Sequence, residues 1–191
     1  ATVFDFDNDG QKDIYIGSTD YPGTRGLLYH QGVDGSFELV PSEDGVAHNR
    51  SHGVAVADFD RDGDLDMVIG HSSGRCDEDC PDSFHARLYE NQISDSNVLQ
   101  LDLIGAGSSN RSAIGARVEV VADGVTQVQE VGGGYGHYGA QNELMLHFGL
   151  GEACSGDVTV FWPDSNRSEE TFSFSANQRY TVQQGQAPVA E

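Results

Sequence analysis

The chain has 191 residues, enough for one domain or two small ones with a buried core. Its 31 acidic residues against 10 basic ones give a net charge of −21, which repels nucleic acid and anionic lipid and suits divalent cations. No apolar run approaches the roughly 18 residues of a membrane span, so a membrane-spanning role is excluded on the helical pattern. No leader segment is visible, and the chain opens inside a patterned stretch, which reads as a mature piece of a longer product.

The opening "ATVF" is short and apolar, which predicts a strand, and "DIYIG" after the acidic stretch 5–13 predicts a second. The same order returns in "GVAVA", the acidic stretch 58–66 and "DMVIG". "DFDNDGQKDIYIG" aligns with "DFDRDGDLDMVIG" without a gap at an offset of 53, an internal repeat. Further on, "LLYHQGVDGSFEL" aligns with "RLYENQISDSNVL", Tyr29 on Tyr89, at an offset of 60. The growth from 53 to 60 measures seven inserted residues between Gly70 and Leu88, where "CDEDCPDS" sits. A unit of about fifty residues is the size of a propeller blade. About two such units fit, and the first lacks room for its full set of opening strands.

Each repeat carries the spacing D-x-D-x-D-G-x-x-D. Two carboxylates ~5 Å apart at an effective dielectric of ~20 repel by roughly 3 kcal/mol, so five in nine residues need a counter-charge. Calcium takes 6–8 oxygens, and carboxylates at loop positions 1, 3 and 5 converge when the chain curls. Gly10 and Gly63 fall at position 6, where a sharp turn needs glycine. The expectation is two Ca²⁺ sites. The first uses Asp5, Asp7, Asp9 and Asp13 with the backbone carbonyl of Gln11, and the second uses Asp58, Asp60, Asp62 and Asp66 with that of Asp64. Position 12 is Ile16 or Ile69 rather than glutamate, and the flanks are strands, so neither loop is an EF-hand.

The second half is also predicted as strands. "RVEVVADGVTQVQEV" places Asp123-Gly124 between two apolar-rich runs, a hairpin signal. "DVTVFWPDSNRSEETFSF" puts Val158, Val160 and Trp162 on one face, with Phe172 and Phe174 on the returning strand. "ELMLHFG" and "QRYTVQQ" add two more, and no segment carries a capped helical period over three turns. The tail "GQAPVAE" reads as loose.

The acidic repeats resemble the FG-GAP/VCBS-type repeats of integrin α-subunit propellers and many secreted bacterial proteins. "NRSAIGARVEV", "LHFGLG", "VTVFWPDSNRSEETF" and "ANQRYTV" resemble, in that order, the ASPIC/UnbV domain that follows such repeats. The resemblance implies an all-β chain: incomplete propeller-type repeats over 1–97, then an antiparallel β-sandwich or barrel-like domain over 98–191. In the relatives, more numerous repeats close a propeller.

Other constellations are weaker. "GHSSG" (70–74) has the spacing of a nucleophile elbow, but the acidic, proline-containing stretch after it is not a helix. Cys76 and Cys80 are expected to form a small-loop disulfide, with a zinc site of His71, Cys76, Cys80 and His85 as the alternative. Cys154 reads as a buried free thiol or the partner of a cysteine elsewhere. "VGGGYGHYG" lacks the lysine and helix start of a phosphate loop, leaving Tyr135, His137 and Tyr138 as a possible ligand loop. His48 and His52 read as structural, and "NRS" at Asn49, Asn110 and Asn166 is formally a glycosylation acceptor. No acid–base pair or nucleophile stands out. The expected function is a secreted or cell-surface, non-enzymatic, calcium-binding β-protein for adhesion, extracellular structure or calcium-promoted assembly. Its expected partner is a surface protein, a carbohydrate or itself. The alternative is a carbohydrate-binding or accessory domain of a secreted polysaccharide-active enzyme.

Overall fold

A computed structural model describes residues 1–21, 23–72, 74, 85–93, 96–132 and 140–191. All regular structure among them is β, and no helix there is long and apolar enough to cross a membrane. Two compact units form. The first holds the described residues of Ala1–Phe6, Gln11–Ile93 and Gly134–Asn142; the second holds those of Asp7–Gly10, Ser94–Gly133 and Glu143–Glu191.

In the first unit, β1 (Thr2–Phe4), β2 (Asp13–Ile16), β3 (Leu27–Gln31) and β4 (Phe37–Leu39) form an antiparallel meander. β5 (Ser51–Ala57), β6 (Asp66–His71) and β7 (Arg87–Tyr89) form a second, three-stranded sheet. The two sheets repeat one register. Phe4 faces Asp13 as Ala57 faces Asp66, and Ile14 faces Tyr29 as Met67 faces Tyr89. β1 is the strand expected from "ATVF", and with it the first repeat has four strands where a shortfall was expected; three residues suffice because Phe4 is anchored in the core, where it is 3% exposed. Phe4, Tyr15, Leu28, Val54, Val56, Met67 and Ile69 form the core of this unit. Full burial of each such side chain stabilises by about 1.5–3 kcal/mol.

The fourth strand is where the repeats part. Asn97–Leu99 aligns with Phe37–Leu39, yet it opens β8 (Asn97–Ile104), which belongs to a sheet of the second unit. Among the described residues, β7 carries no strand on its outer side.

The second unit has two open four-stranded sheets. One runs β10 (Val125–Glu130), β9 (Arg117–Ala122), β12 (Ser155–Phe161), β13 (Glu169–Ser175). The other runs β11 (Leu146–Gly151), β8, β14 (Gln178–Gln183), β15 (Val189–Ala190). Neither closes into a barrel. Asp123 (φ 48°) and Gly124 (φ 79°) make the two-residue turn joining β9 to β10, with Ala122 opposite Val125. Val158, Val160 and Trp162 point inward with Phe174, joining Leu99, Leu101, Val118, Val120 and Phe148 in one core.

Two expectations for this half change. The sheets are not purely antiparallel, because β8 pairs in parallel with β14 over six residues. The strands between them provide the long connection that a parallel pair needs. The tail is also held: Val189–Ala190 pairs with β14, and Glu191 meets Arg179 at 3.3 Å. Hydrogen bonding to an edge strand orders a terminus that composition alone marks as loose.

Tyr15 is fully buried, its hydroxyl 2.8 Å from Ser51 Oγ. A Cβ on Gly26 would lie 1.9 Å from that hydroxyl, so only glycine fits there. Burial pushes the Tyr15 pKa from 10.0 to about 12, with the Ser51 bond opposing and Tyr89 adding to the rise. The neutral phenol is thus favoured in the folded state: its contribution is complete below pH 10 and is lost as pH rises through about 12. Urea unfolding of the first unit should therefore show its midpoint falling between pH 10 and 12, and Tyr15→Phe should flatten that fall.

Candidate metal centre

The second acidic loop joins β5 to β6, and its ends are fixed because Ala57 and Asp66 are cross-strand partners. The eight residues between them must reverse the chain. They do so with left-handed backbone at loop positions 4 and 6, Arg61 (φ 66°) and Gly63 (φ 100°). The first loop bends at the same positions, Asn8 (φ 59°) and Gly10 (φ 90°). Asparagine tolerates this conformation better than arginine does, so the second loop bears more backbone strain.

This curl brings carboxylates together. Oxygens of Asp58, Asp60 and Asp62 lie within 4.8 Å of one another, as do those of Asp5, Asp7 and Asp13. Short-range bonds hold the second set: Asp62 N–H to Asp60 Oδ1 (3.2 Å), Gly63 N–H to Asp58 Oδ2 (3.2 Å) and Asp64 N–H to Asp62 Oδ1 (2.9 Å). In the first loop, Asp9 N–H reaches Asp7 Oδ1 at 3.4 Å, and Gln11 is half-buried.

The ninth-position aspartates do something the spacing did not foretell. Asp66 Oδ2 accepts the Phe59 N–H (2.9 Å) and its Oδ1 accepts the Asn91 N–H (2.7 Å). Asp13 repeats this with Phe6 (2.9 Å) and Gln31 (2.8 Å). Each carboxylate thus bridges the start of its own loop to the end of the repeat's third strand. Both are almost fully buried. A carboxylate has about four lone-pair directions, so this bracing leaves capacity for a cation.

The electrostatics of the two loops differ. Burial raises Asp64 to about 6, and Asp62, Asp58, Asp66 and Asp60 add to the rise in that order. Asp62 is raised too, first by desolvation and then by Asp60, Asp58 and Asp66, against a backbone bond from Asp64. In the first loop Lys12 lies near Asp5 and Asp13, whose charges counter the burial that lowers its pKa. Lys12 is the chain's single lysine, which was the available signal for an internal counter-charge. The groups Asp58, Asp60, Asp62 and Asp5, Asp7, Asp13 offer only oxygens, the set a hard divalent cation prefers, while His30 adds a ring nitrogen within reach of Asp7 and Asp9.

The other expected sites fall differently. His48 is buried, with Nδ1 3.1 Å from Tyr89 Oη and its ring edge-on to His71 at 5.8 Å, a packing role. Cys154 is a free thiol but exposed, correcting the buried assignment; Ala153 beside it points into the core instead. Cys76, Cys80, Tyr135, His137 and Tyr138 lie outside the described residues, as does Ser73 of "GHSSG".

Residues 5–69 match the FG-GAP-like repeat family, and residues 106–189 match the ASPIC and UnbV family. The chain is thus similar to FG-GAP-like repeats in its first part and to an ASPIC/UnbV domain in its second. It is similar to cartilage acidic protein 1 of Homo sapiens, 29% identical over 167 residues, and to that of Xenopus tropicalis, 28% identical over 167 residues. Each match covers 84% of this chain and 24% of the relative, so the chain spans about a quarter of the relatives' length.

Asp66→Asn keeps the shape of the brace but turns one acceptor oxygen into a donor that faces a backbone N–H. Losing one charge-assisted bond and stranding its donor should destabilise the first unit by about 1.5–3 kcal/mol. Urea denaturation in metal-free buffer measures this directly, and Asp13→Asn should behave alike.

Proposed function

We propose that this chain is a non-enzymatic, calcium-stabilised extracellular β-protein that serves adhesion or extracellular structure. The observation that carries the reading is the convergence of Asp58, Asp60 and Asp62 on a loop curled at Gly63. The matching curl at Gly10 in the first loop supports a second site. One Ca²⁺ would be held by Asp58, Asp60 and Asp62 with the Asp64 carbonyl, with Asp66 closing the shell. The other would be held by Asp5, Asp7, Asp9 and Asp13 with the Gln11 carbonyl. Burial raises Asp64 and Asp62 first and neighbouring carboxylates add to it, and a cation there relieves that added repulsion. The extracellular setting is supported by the similar proteins being named for cartilage and for acidity, a character this chain shares at −21.

The test is chelation. Calcium bound only to the folded state adds RT ln(1 + [L]/Kd), about 2.7 kcal/mol at a hundredfold excess over Kd. Thermal unfolding should shift upward with calcium and downward in chelator, and elemental analysis should find two ions per chain. Asp62→Ala should remove one of them. An unchanged melting curve in excess chelator, with no bound metal, would overturn the proposal.

Calcium also bears on association. Two ions offset four units of the net charge of −21 that keeps copies apart, and among the described residues β7 has an edge open to strand pairing. Light scattering should therefore report a larger hydrodynamic size with calcium than without it. Identical monomer sizes in both conditions would rule assembly out.

A further inference from the structure

The first unit contains a cavity of about 240 Å³. Phe4, Leu28, Val46, Leu65 and Met67 wall it, each no more than 7% exposed. Protein cores pack with few voids larger than a water, and a hollow lined by such side chains forfeits dispersion contacts. The hollow is held open by a built wall. Asn91 donates from its backbone to Asp66 Oδ1 and from Nδ2 to the carbonyls of Phe6 (2.6 Å) and Leu65 (3.4 Å).

Its size and its charge together define what fits. Pockets for complete drug-sized ligands start near ~300 Å³, so this volume suits one ring system. Single buried aromatic anchors of this kind dominate the energetics of protein interfaces. At the mouth stand Asp44 and Glu90, both exposed, with Ile93 beside them at 42% exposure. None of the lining residues is basic. An apolar well with an acidic rim complements an aromatic group carried between positive charges.

We propose that this cavity is an anchor pocket for a partner polypeptide, taking one aromatic side chain whose basic neighbours meet Asp44 and Glu90. The binding proposed here does not rest on the metal reading above, because Asp44 and Glu90 lie outside both acidic loops, although Phe6, Leu65 and the Asp66-bound Asn91 tie the pocket wall to those loops.

Three pentapeptides added to the full chain test this: Gly-Lys-Trp-Lys-Gly, the same with alanine for tryptophan, and the same with glutamate for both lysines. Calorimetry should show the first binding at least tenfold more tightly than either of the others, and NMR should show the Met67 and Val46 methyl signals moving with it. Asp44→Lys and Glu90→Lys, both at exposed positions, should each weaken that binding at least fivefold while leaving the unfolding midpoint unchanged. Equal binding of the tryptophan and alanine peptides would mean attraction to the acidic surface alone and would overturn the proposal. So would unmoved Met67 and Val46 methyls, equal binding of the glutamate peptide, or no binding at millimolar concentration.

Discussion

Each repeat turns on one carboxylate whose two oxygens accept backbone N–H groups from opposite sides. Asp13 receives Phe6 and Gln31; Asp66 receives Phe59 and Asn91. Without this bracket, the loop entrance and the third strand would present unsatisfied donors to a buried space, at roughly 1–3 kcal/mol apiece. With it, the second strand starts at a fixed point, and the residues that follow fall into register against the third. The pairing register repeats but the buried face does not: Tyr15 is buried two residues after Asp13, whereas Met67 and Ile69 are buried one and three residues after Asp66.

The same bracket concentrates charge. The ninth aspartate lies with the first, third and fifth in one loop, and their charges add to the burial that raises Asp64. The first repeat eases this with Lys12, whereas the second has Leu65 at that position, turned into the core. Two loops with one backbone path thus have unequal needs for an external cation. The second loop, which also carries Arg61 in a left-handed conformation, is the more demanding of the two.

Local rules were legible in the residues, and long-range choices were not. The gapless alignment of the acidic stretches foretold a shared register, and Tyr29 over Tyr89 foretold which residues of the third strands correspond. Asp123-Gly124 and the alternation through Val158, Val160 and Trp162 were legible because turn chemistry and the two-residue period are local. The bracket was not, since the partner of Asp66 on its far side is 25 residues away and is a backbone group that any residue type supplies. Nor was the parallel partnership of β8 with β14, which depends on strands more than seventy positions apart.

The fate of Asn97–Leu99 has a consequence for how such a chain is inherited. Alignment assigns these residues to the second repeat, and hydrogen bonding assigns them to the sheet of β11 and β14. The repeat alignment therefore continues past the division between the units at Ile93 and Ser94 and into β8. Recombination that moved the repeats elsewhere would strip β8 from the sheet it joins, or carry away a strand whose neighbours stayed behind. Either break exposes Val98, Leu99 and Leu101, now buried, to water. A cut placed by the repeat alignment thus costs the second unit a buried strand, whereas a cut between Ile93 and Ser94 leaves β8 whole.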